Sequence, residues 1–148
     1  MENFKYYIAY GSNLNITQMK ERCPNSIIFG KGQLLDYQLV FKAIGKYAYA
    51  TIEPFKGNYV PIGVWKVSKQ DERSLDEYED YPNLYYKTNI TVEIDGVRVC
   101  GMIYIMNENA VHQLPSKDYF QGIVEGYDNL KLEKEKLYEA YERSLERR

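Results

Sequence analysis

Tyr10-Gly11-Ser12-Asn13-Leu14 is the stretch of this chain best suited to hold a negative charge. It follows the apolar run Tyr6 to Ala9 and precedes Asn15-Ile16-Thr17-Gln18, which begins like a helix. A strand that breaks at a glycine and enters a helix leaves several backbone N–H groups unpaired and pointing one way. Such a loop is a cradle for a carboxylate or an oxyanion. Taken alone, an ordinary strand-to-helix turn explains these residue types better, because Gly, Ser and Asn are common turn residues.

An acid far downstream adds a second chemical group. Leu75-Asp76-Glu77-Tyr78-Glu79-Asp80-Tyr81-Pro82 closes a segment that begins with the capping residue Ser68. On a helix, positions three and four apart are neighbours, so Leu75, Tyr78 and Glu79 fall on one side. Leu75 should face the core and draw Glu79 with it, while Asp76 and Glu77 stay solvated. Pro82 stops the helix soon afterwards. Glu79 is then a partly desolvated carboxyl at the negative end of a helix dipole, beside other acids. Each influence disfavours ionisation and moves its pKa toward neutrality. A carboxyl that takes and returns a proton near pH 7 suits general acid–base catalysis; taken alone, one more surface acid in an acidic helix explains Glu79 better.

The elements that must position these groups read mainly as strands in the first two thirds of the chain. Strand candidates are 5–9, 27–35, 37–43, 48–52, 59–67, 86–94 and 97–106. In Thr88 to Ile94, the alternation puts Ile90, Val92 and Ile94 on one face. Asp95-Gly96 joins this strand to the next and is a strong two-residue hairpin signal. Helices are expected over 15–23, 68–79 and 116–126, the last two opening on serine caps. A final helix is expected over 130–148, with Leu137, Tyr138, Tyr141 and Leu145 on one face and Glu139 four residues before Arg143. Antiparallel strands interrupted by helices make an α+β domain rather than a βαβ repeat.

The composition excludes several function classes. The chain has 148 residues, enough for one domain spanning 1–148 with one core. A net charge of −2 with interleaved signs gives no basic stripe for nucleic acid. Cys23 and Cys100 make neither a disulfide framework nor a metal site, and one histidine, His112, cannot build a His-rich cluster. No metal or cofactor is expected. No apolar run is long enough to cross a bilayer and no signal segment opens the chain, so a cytoplasmic location is expected. Cys23, Cys100 and Trp65 read as core residues, and His112 as a surface or capping residue. Sixteen tyrosines are the unusual count: the ring fills a core while the hydroxyl serves a polar cavity.

Taken together, Tyr10 to Leu14, Leu75 to Glu79 and the Tyr85 or Tyr86 that follows before a strand resemble the gamma-glutamylcyclotransferase-like superfamily. A third match is Pro115-Ser116-Lys117-Asp118-Tyr119, followed by Ile123, Gly126 and Leu130. The resemblance covers nearly the whole chain except its last helix. It implies a small mixed or antiparallel β-barrel flanked by short helices, with a cavity at one end. It also implies that the loop Tyr10 to Leu14 binds the glutamyl part of a small γ-glutamyl substrate and that Glu79 is the essential acid and base. Many relatives carry glycine directly after that glutamate, where this chain has Asp80.

The implied reaction is cyclisation of a γ-glutamyl amine or amino acid to 5-oxoproline, with release of the free amine. The nucleophile belongs to the substrate, which fits a chain lacking a Cys–His or Ser–His–Asp set. The N–H groups of Gly11, Ser12 and Asn13 would hold a carboxylate or the oxyanion. Tyr10 would form a wall or donate its hydroxyl, and Tyr119 would orient the substrate or Glu79. Tyr85 and Tyr86 alternate in facing, so one of them points into the cavity. Asn13 argues against glutathione, because glutathione-specific relatives tend to lack asparagine there. The amine side is expected on segments 43–58 and 107–122. The competing reading is a non-catalytic domain of the same fold that binds a small carboxylate. Oligomeric state is not legible.

Overall fold

The central strand, β1 (Lys5–Ala9), is built from Lys5-Tyr6-Tyr7-Ile8-Ala9 and is flanked on both sides. The computed structural model of the chain describes residues 3–146. Strand β1 pairs antiparallel with β3 (Tyr49–Val67), with Tyr7 opposite Trp65, and parallel with β5 (Val97–Met106), with Tyr7 opposite Met102. Strand β2 (Ile27–Ala43) runs antiparallel along β3, and β4 (Tyr85–Ile94) antiparallel along β5. The two-residue β6 (Val111–His112) pairs with Lys42 and Ala43. The order across the mixed sheet is β4-β5-β1-β3-β2-β6.

The sheet curls into an incompletely closed barrel. Gly30 and Gly32 of β2 lie so close to β4 that a Cβ on either would come within 2.6 Å and 2.8 Å of the Ile94 side chain. These two glycines let the strands approach without a hydrogen-bonded ladder. At this same end of β4, Asp95 (φ 50°) and Gly96 (φ 80°) make the tight hairpin to β5 that the Asp-Gly pair predicts.

Four helices flank the sheet: α1 (Ile16–Arg22), α2 (Lys69–Tyr78), α3 (Lys117–Asn129) and α4 (Glu135–Glu146). A single 3₁₀ turn, Ser12–Leu14, precedes α1. Side chains of Asn15, Ser68 and Ser116 cap α1, α2 and α3, and Ser68 with Asp71 forms a reciprocal capping box. Among the described residues, no helix is long and apolar enough to cross a membrane.

Several expectations are corrected. The stretches 27–35 and 37–43 form one strand, as do 48–52 and 59–67 once the intervening segment is included. Asp36 (φ 65°) sits at a register shift between Leu35, opposite Tyr59, and Tyr37, opposite Pro54, and its Oδ1 accepts from the Gly57 N–H at 3.0 Å, which ties the two strands together across the irregularity. The last helix begins at Glu135, after a turn at Lys131 (φ 55°), and positions 147–148 lie outside the described residues. Its buried face is Leu137 with the small residues Ala140 and Ser144, which let α4 lie on β2; Tyr138 and Leu145 are exposed. Arg143 donates to the Leu39 carbonyl at 2.7 Å. Cys100 is exposed, because the alternation of β5 turns Val99 and Gly101 inward, whereas Cys23 is buried. His112, read as a surface or capping residue, lies in the short edge strand β6.

Candidate active site

The loop after β1 reverses in a very small space. Leu14 N–H donates to the Gly11 carbonyl at 3.0 Å and Asn15 N–H to Ser12 at 3.1 Å, closing the 3₁₀ turn. A Cβ at Gly11 would sit 3.1 Å from the Ala50 Cβ, so glycine is what lets the loop pass β3. Among the described residues, the N–H groups of Gly11, Ser12 and Asn13 donate to no protein acceptor. The Asn13 carbonyl accepts from Trp65 Nε1 at 3.0 Å, its Oδ1 from Arg22 Nη1 at 2.5 Å, and its Nδ2 donates to the Tyr7 hydroxyl at 2.9 Å. Trp65, a core residue by sequence, thus also fixes the loop.

Glu79 arrives from the far side, as the C-cap of α2, with its N–H on the Leu75 carbonyl at 2.8 Å. Leu75 is fully buried and anchors that last turn. The Glu79 residue keeps some accessible surface because it faces a cavity, yet its carboxyl sits deep within the protein. That burial raises its pKa from the ordinary 4.5 to about 8, and the Arg22 guanidinium opposes the rise. Neighbouring acids are not the cause. Asp76, expected to be solvated, is half-buried, with Lys87 Nζ at 2.8 Å and the Tyr104 hydroxyl at 2.6 Å. Among the described residues, the Glu79 carboxyl makes no side-chain hydrogen bond, which leaves its oxygens for whatever enters the cavity.

Asp80 has φ 51°, in the left-handed region that glycine adopts freely and that aspartate tolerates better than most residues. The backbone at Asp80 therefore makes a left-handed turn directly after Glu79. Tyr78 bridges the two halves of the site: its hydroxyl lies 2.9 Å from Ser12 Oγ, and its ring lies 3.6 Å beneath the Arg22 guanidinium.

Loop and acid face one cavity of about 320 Å³. Of the residues singled out by sequence, Tyr10, Gly11, Ser12, Asn13, Glu79, Tyr85 and Tyr119 line it. Leu14 does not: it is fully buried beneath the loop, close to Gly63 and Gly126. Tyr85 and Tyr86 separate as the strand alternation requires, Tyr85 inward at 4% exposure and Tyr86 outward at 38%. The Tyr85 hydroxyl donates to the Ala50 carbonyl at 2.6 Å, and the Tyr119 hydroxyl accepts from the Ala50 N–H at 2.9 Å. Tyr10 donates to the Tyr104 carbonyl at 2.5 Å.

Sequence reasoning missed Tyr7, Tyr49, Tyr78 and Tyr104, which also line the cavity. The high tyrosine count was the available signal. Seven of the sixteen tyrosines meet here, on six different strands and helices and one loop, a convergence that only the folded chain displays.

A small curled-barrel domain with an anion-ready loop facing a buried glutamate across one pocket is a defined class. A family profile described as "Gamma-glutamyl cyclotransferase, AIG2-like" matches residues 7–121, and the chain belongs to this family. The gamma-glutamylcyclotransferase of Homo sapiens is 31% identical over 137 residues, and that of Bos taurus 31% over 135; each match covers 84% of this chain and 70% of the relative. Among solved structures, a Homo sapiens protein described as uncharacterized superposes with a TM-score of 0.82 at 29% identity, over 99% of this chain and 89% of the other. A gamma-glutamyl cyclotransferase superposes with a TM-score of 0.79 at 28% identity, over the same shares. YkqA from Bacillus subtilis shares the fold at 16% identity, with a TM-score of 0.81 over 97% of this chain and 55% of its own.

Proposed function

We propose that this chain is a gamma-glutamyl cyclotransferase that converts a small γ-glutamyl amine or γ-glutamyl amino acid to 5-oxoproline and the free amine. The observation that carries this reading is a single unpaired carboxyl, Glu79, with a pKa of about 8, on the wall of the cavity that also receives the Gly11–Asn13 N–H groups. A carboxyl so tuned is suited to move protons in both directions near neutral pH.

The substrate α-amine is the nucleophile. Glu79 as carboxylate takes a proton from the α-ammonium, and the freed amine attacks the γ-carbonyl carbon. A carbon–nitrogen bond forms to close the five-membered ring, and the carbonyl electron pair moves to oxygen. Glu79 then returns its proton to the departing nitrogen as the old carbon–nitrogen bond breaks and the carbonyl re-forms; the ring nitrogen gives its remaining extra proton to the freed Glu79 carboxylate, which passes it to the released amine. The carbonyl oxygen is retained throughout and no water enters. Proton transfer by a positioned group contributes roughly 10²–10⁴-fold, and holding the glutamyl chain bent adds the advantage of an intramolecular reaction. The free loop N–H groups are suited to the substrate carboxylate or the oxyanion.

Past Tyr49, Asp80 and Leu84, the cavity opens into an adjoining hollow of about 330 Å³ that Lys46, Tyr47 and Asn83 also line. Segment 43–58 supplies one side of this hollow and residues 80–84 the other, and in this reading it receives the leaving amine. Because the substrate must meet the Glu79 carboxylate, kcat/KM should rise with pH toward about 8. The test is 5-oxoproline release from a panel of γ-glutamyl amines and amino acids by the wild type and by Glu79→Gln. Turnover lost in a folded variant supports the reading. Ligand-induced stabilisation without turnover by the wild type would instead favour a carboxylate-binding domain.

A further inference from the structure

The direction of a hydrogen-bond chain is decided where the chemistry leaves no choice. Arginine only donates. Arg22 Nη1 donates to Asn13 Oδ1 at 2.5 Å, and Arg22 is itself held by Gln18 Oε1 at 2.9 Å and by its stacking on Tyr78. An amide whose oxygen meets a guanidinium must present its NH2 on the other side, which removes the usual ambiguity in amide orientation. Asn13 Nδ2 therefore donates to the Tyr7 hydroxyl oxygen at 2.9 Å.

A tyrosine hydroxyl carries one proton. With its oxygen already accepting from Asn13, Tyr7 must direct that proton elsewhere. Among the described residues it meets no acceptor, although Tyr7 is only 4% exposed and lines the cavity. Tyr10 and Tyr85 are wired the opposite way, with their protons committed to backbone carbonyls. The sequence Arg22, Asn13, Tyr7 thus ends in a buried O–H that lines the cavity and, among the described residues, has no protein acceptor.

We infer that Tyr7 donates a hydrogen bond to the γ-carbonyl oxygen of the bound glutamyl group, and that Asn13, held by Arg22, is a positioning residue that fixes this direction. The inference rests on the cyclotransferase reading and deepens it. Glu79 must reach both nitrogens attached to the γ-carbon, and Tyr7 shares its cavity wall, so the donor lies beside the oxygen that gains charge as the ring closes. A donor realised mainly in the transition state acts on kcat rather than on KM.

The test is steady-state 5-oxoproline release by the wild type, Tyr7→Phe, Asn13→Asp and the double variant, each on the plateau of its own pH profile. Tyr7→Phe keeps the ring and should unfold at the wild-type temperature, with kcat lowered by about 10²-fold and KM nearly unchanged. Asn13→Asp keeps the Arg22 contact but offers Tyr7 only an acceptor, which turns the Tyr7 proton away from the cavity. It should be about as slow as Tyr7→Phe, and the double variant no slower than either, because both changes remove one donor. Unchanged kcat in Tyr7→Phe, a loss confined to KM, or multiplicative losses in the double variant would each overturn the inference while leaving the reaction standing. A wild type that releases no 5-oxoproline would remove the reaction and this inference together.

Discussion

Tyr85 and Tyr119 meet on one peptide residue: the first donates to the Ala50 carbonyl and the second accepts from the Ala50 N–H, at 2.6 Å and 2.9 Å. Strand β4 and helix α3 are thereby tied to the same point of β3, opposite the Gly11 loop. Ala50 is buried, so its N–H depends on Tyr119 for a partner. Tyr119→Phe leaves that donor unsatisfied and should cost about 1–3 kcal/mol in urea unfolding. A loss within error would mean that the site is not braced through Ala50.

Burial of Glu79 links stability to pH with a definite sign. The folded state holds the proton up to about 8, whereas the unfolded chain releases it near the ordinary value of 4.5. Between those values the folded state binds more protons, so the Glu79 contribution is complete below the lower one and is lost as pH rises through the higher. The slope reaches at most about 1.4 kcal/mol per pH unit. Glu79→Gln removes this dependence. Its stability relative to wild type should therefore be greater at about pH 9 than at about pH 5. An equal difference at both would show that the carboxyl titrates as an ordinary surface acid.

Helix α3 docks on the loop through a glycine. A Cβ at Gly126 would come within 2.6 Å of the Asn15 nitrogen and 2.7 Å of the Leu14 carbonyl carbon, and backbone does not yield as a flexible side chain does. Gly126→Ala should destabilise by about 1–3 kcal/mol despite the better helix propensity of alanine. A stability gain in thermal unfolding would contradict this packing.

The left-handed turn at Asp80 makes opposite predictions for two substitutions. Asp80→Gly relaxes the backbone and should change stability by less than about 1 kcal/mol. Asp80→Val forces a β-branched residue into φ 51° and should cost about 1–3 kcal/mol. Because the Glu79 pKa is set by burial against Arg22, Asp80→Gly should also leave the rising limb of the kcat/KM profile in place. A displaced limb would restore Asp80 as an electrostatic neighbour.

Features that depend on local chemistry were legible in the sequence. The Asp95-Gly96 hairpin, the Ser68 cap and the inward turn of Leu75 follow from turn, capping and periodicity rules that act over a few residues. The loop and the acid stood out only as a pair, through the family resemblance they carry together; the residue types of either alone fit an ordinary turn or a surface acid. Long-range geometry was not. The stretches 48–52 and 59–67 read as separate strands, yet both pair with the same strand β2, on either side of the register shift at Asp36. Tyr138 and Leu145 fit a helical stripe, but α4 lies close enough to β2 that Ala140 and Ser144 form the contact instead. The direction of the Asn13 amide depends on Arg22, nine positions away and across a turn, and no spacing rule encodes it.

The most direct test of the intramolecular reaction is to supply a γ-glutamyl substrate in water enriched in heavy oxygen and weigh the products. Cyclisation with Glu79 as acid and base predicts 5-oxoproline free of label, equal in amount to the released amine, and absent with Glu79→Gln. Labelled glutamate in place of 5-oxoproline would show hydrolysis by water, and undiminished turnover by Glu79→Gln would show that the proton moves elsewhere; either result contradicts the mechanism.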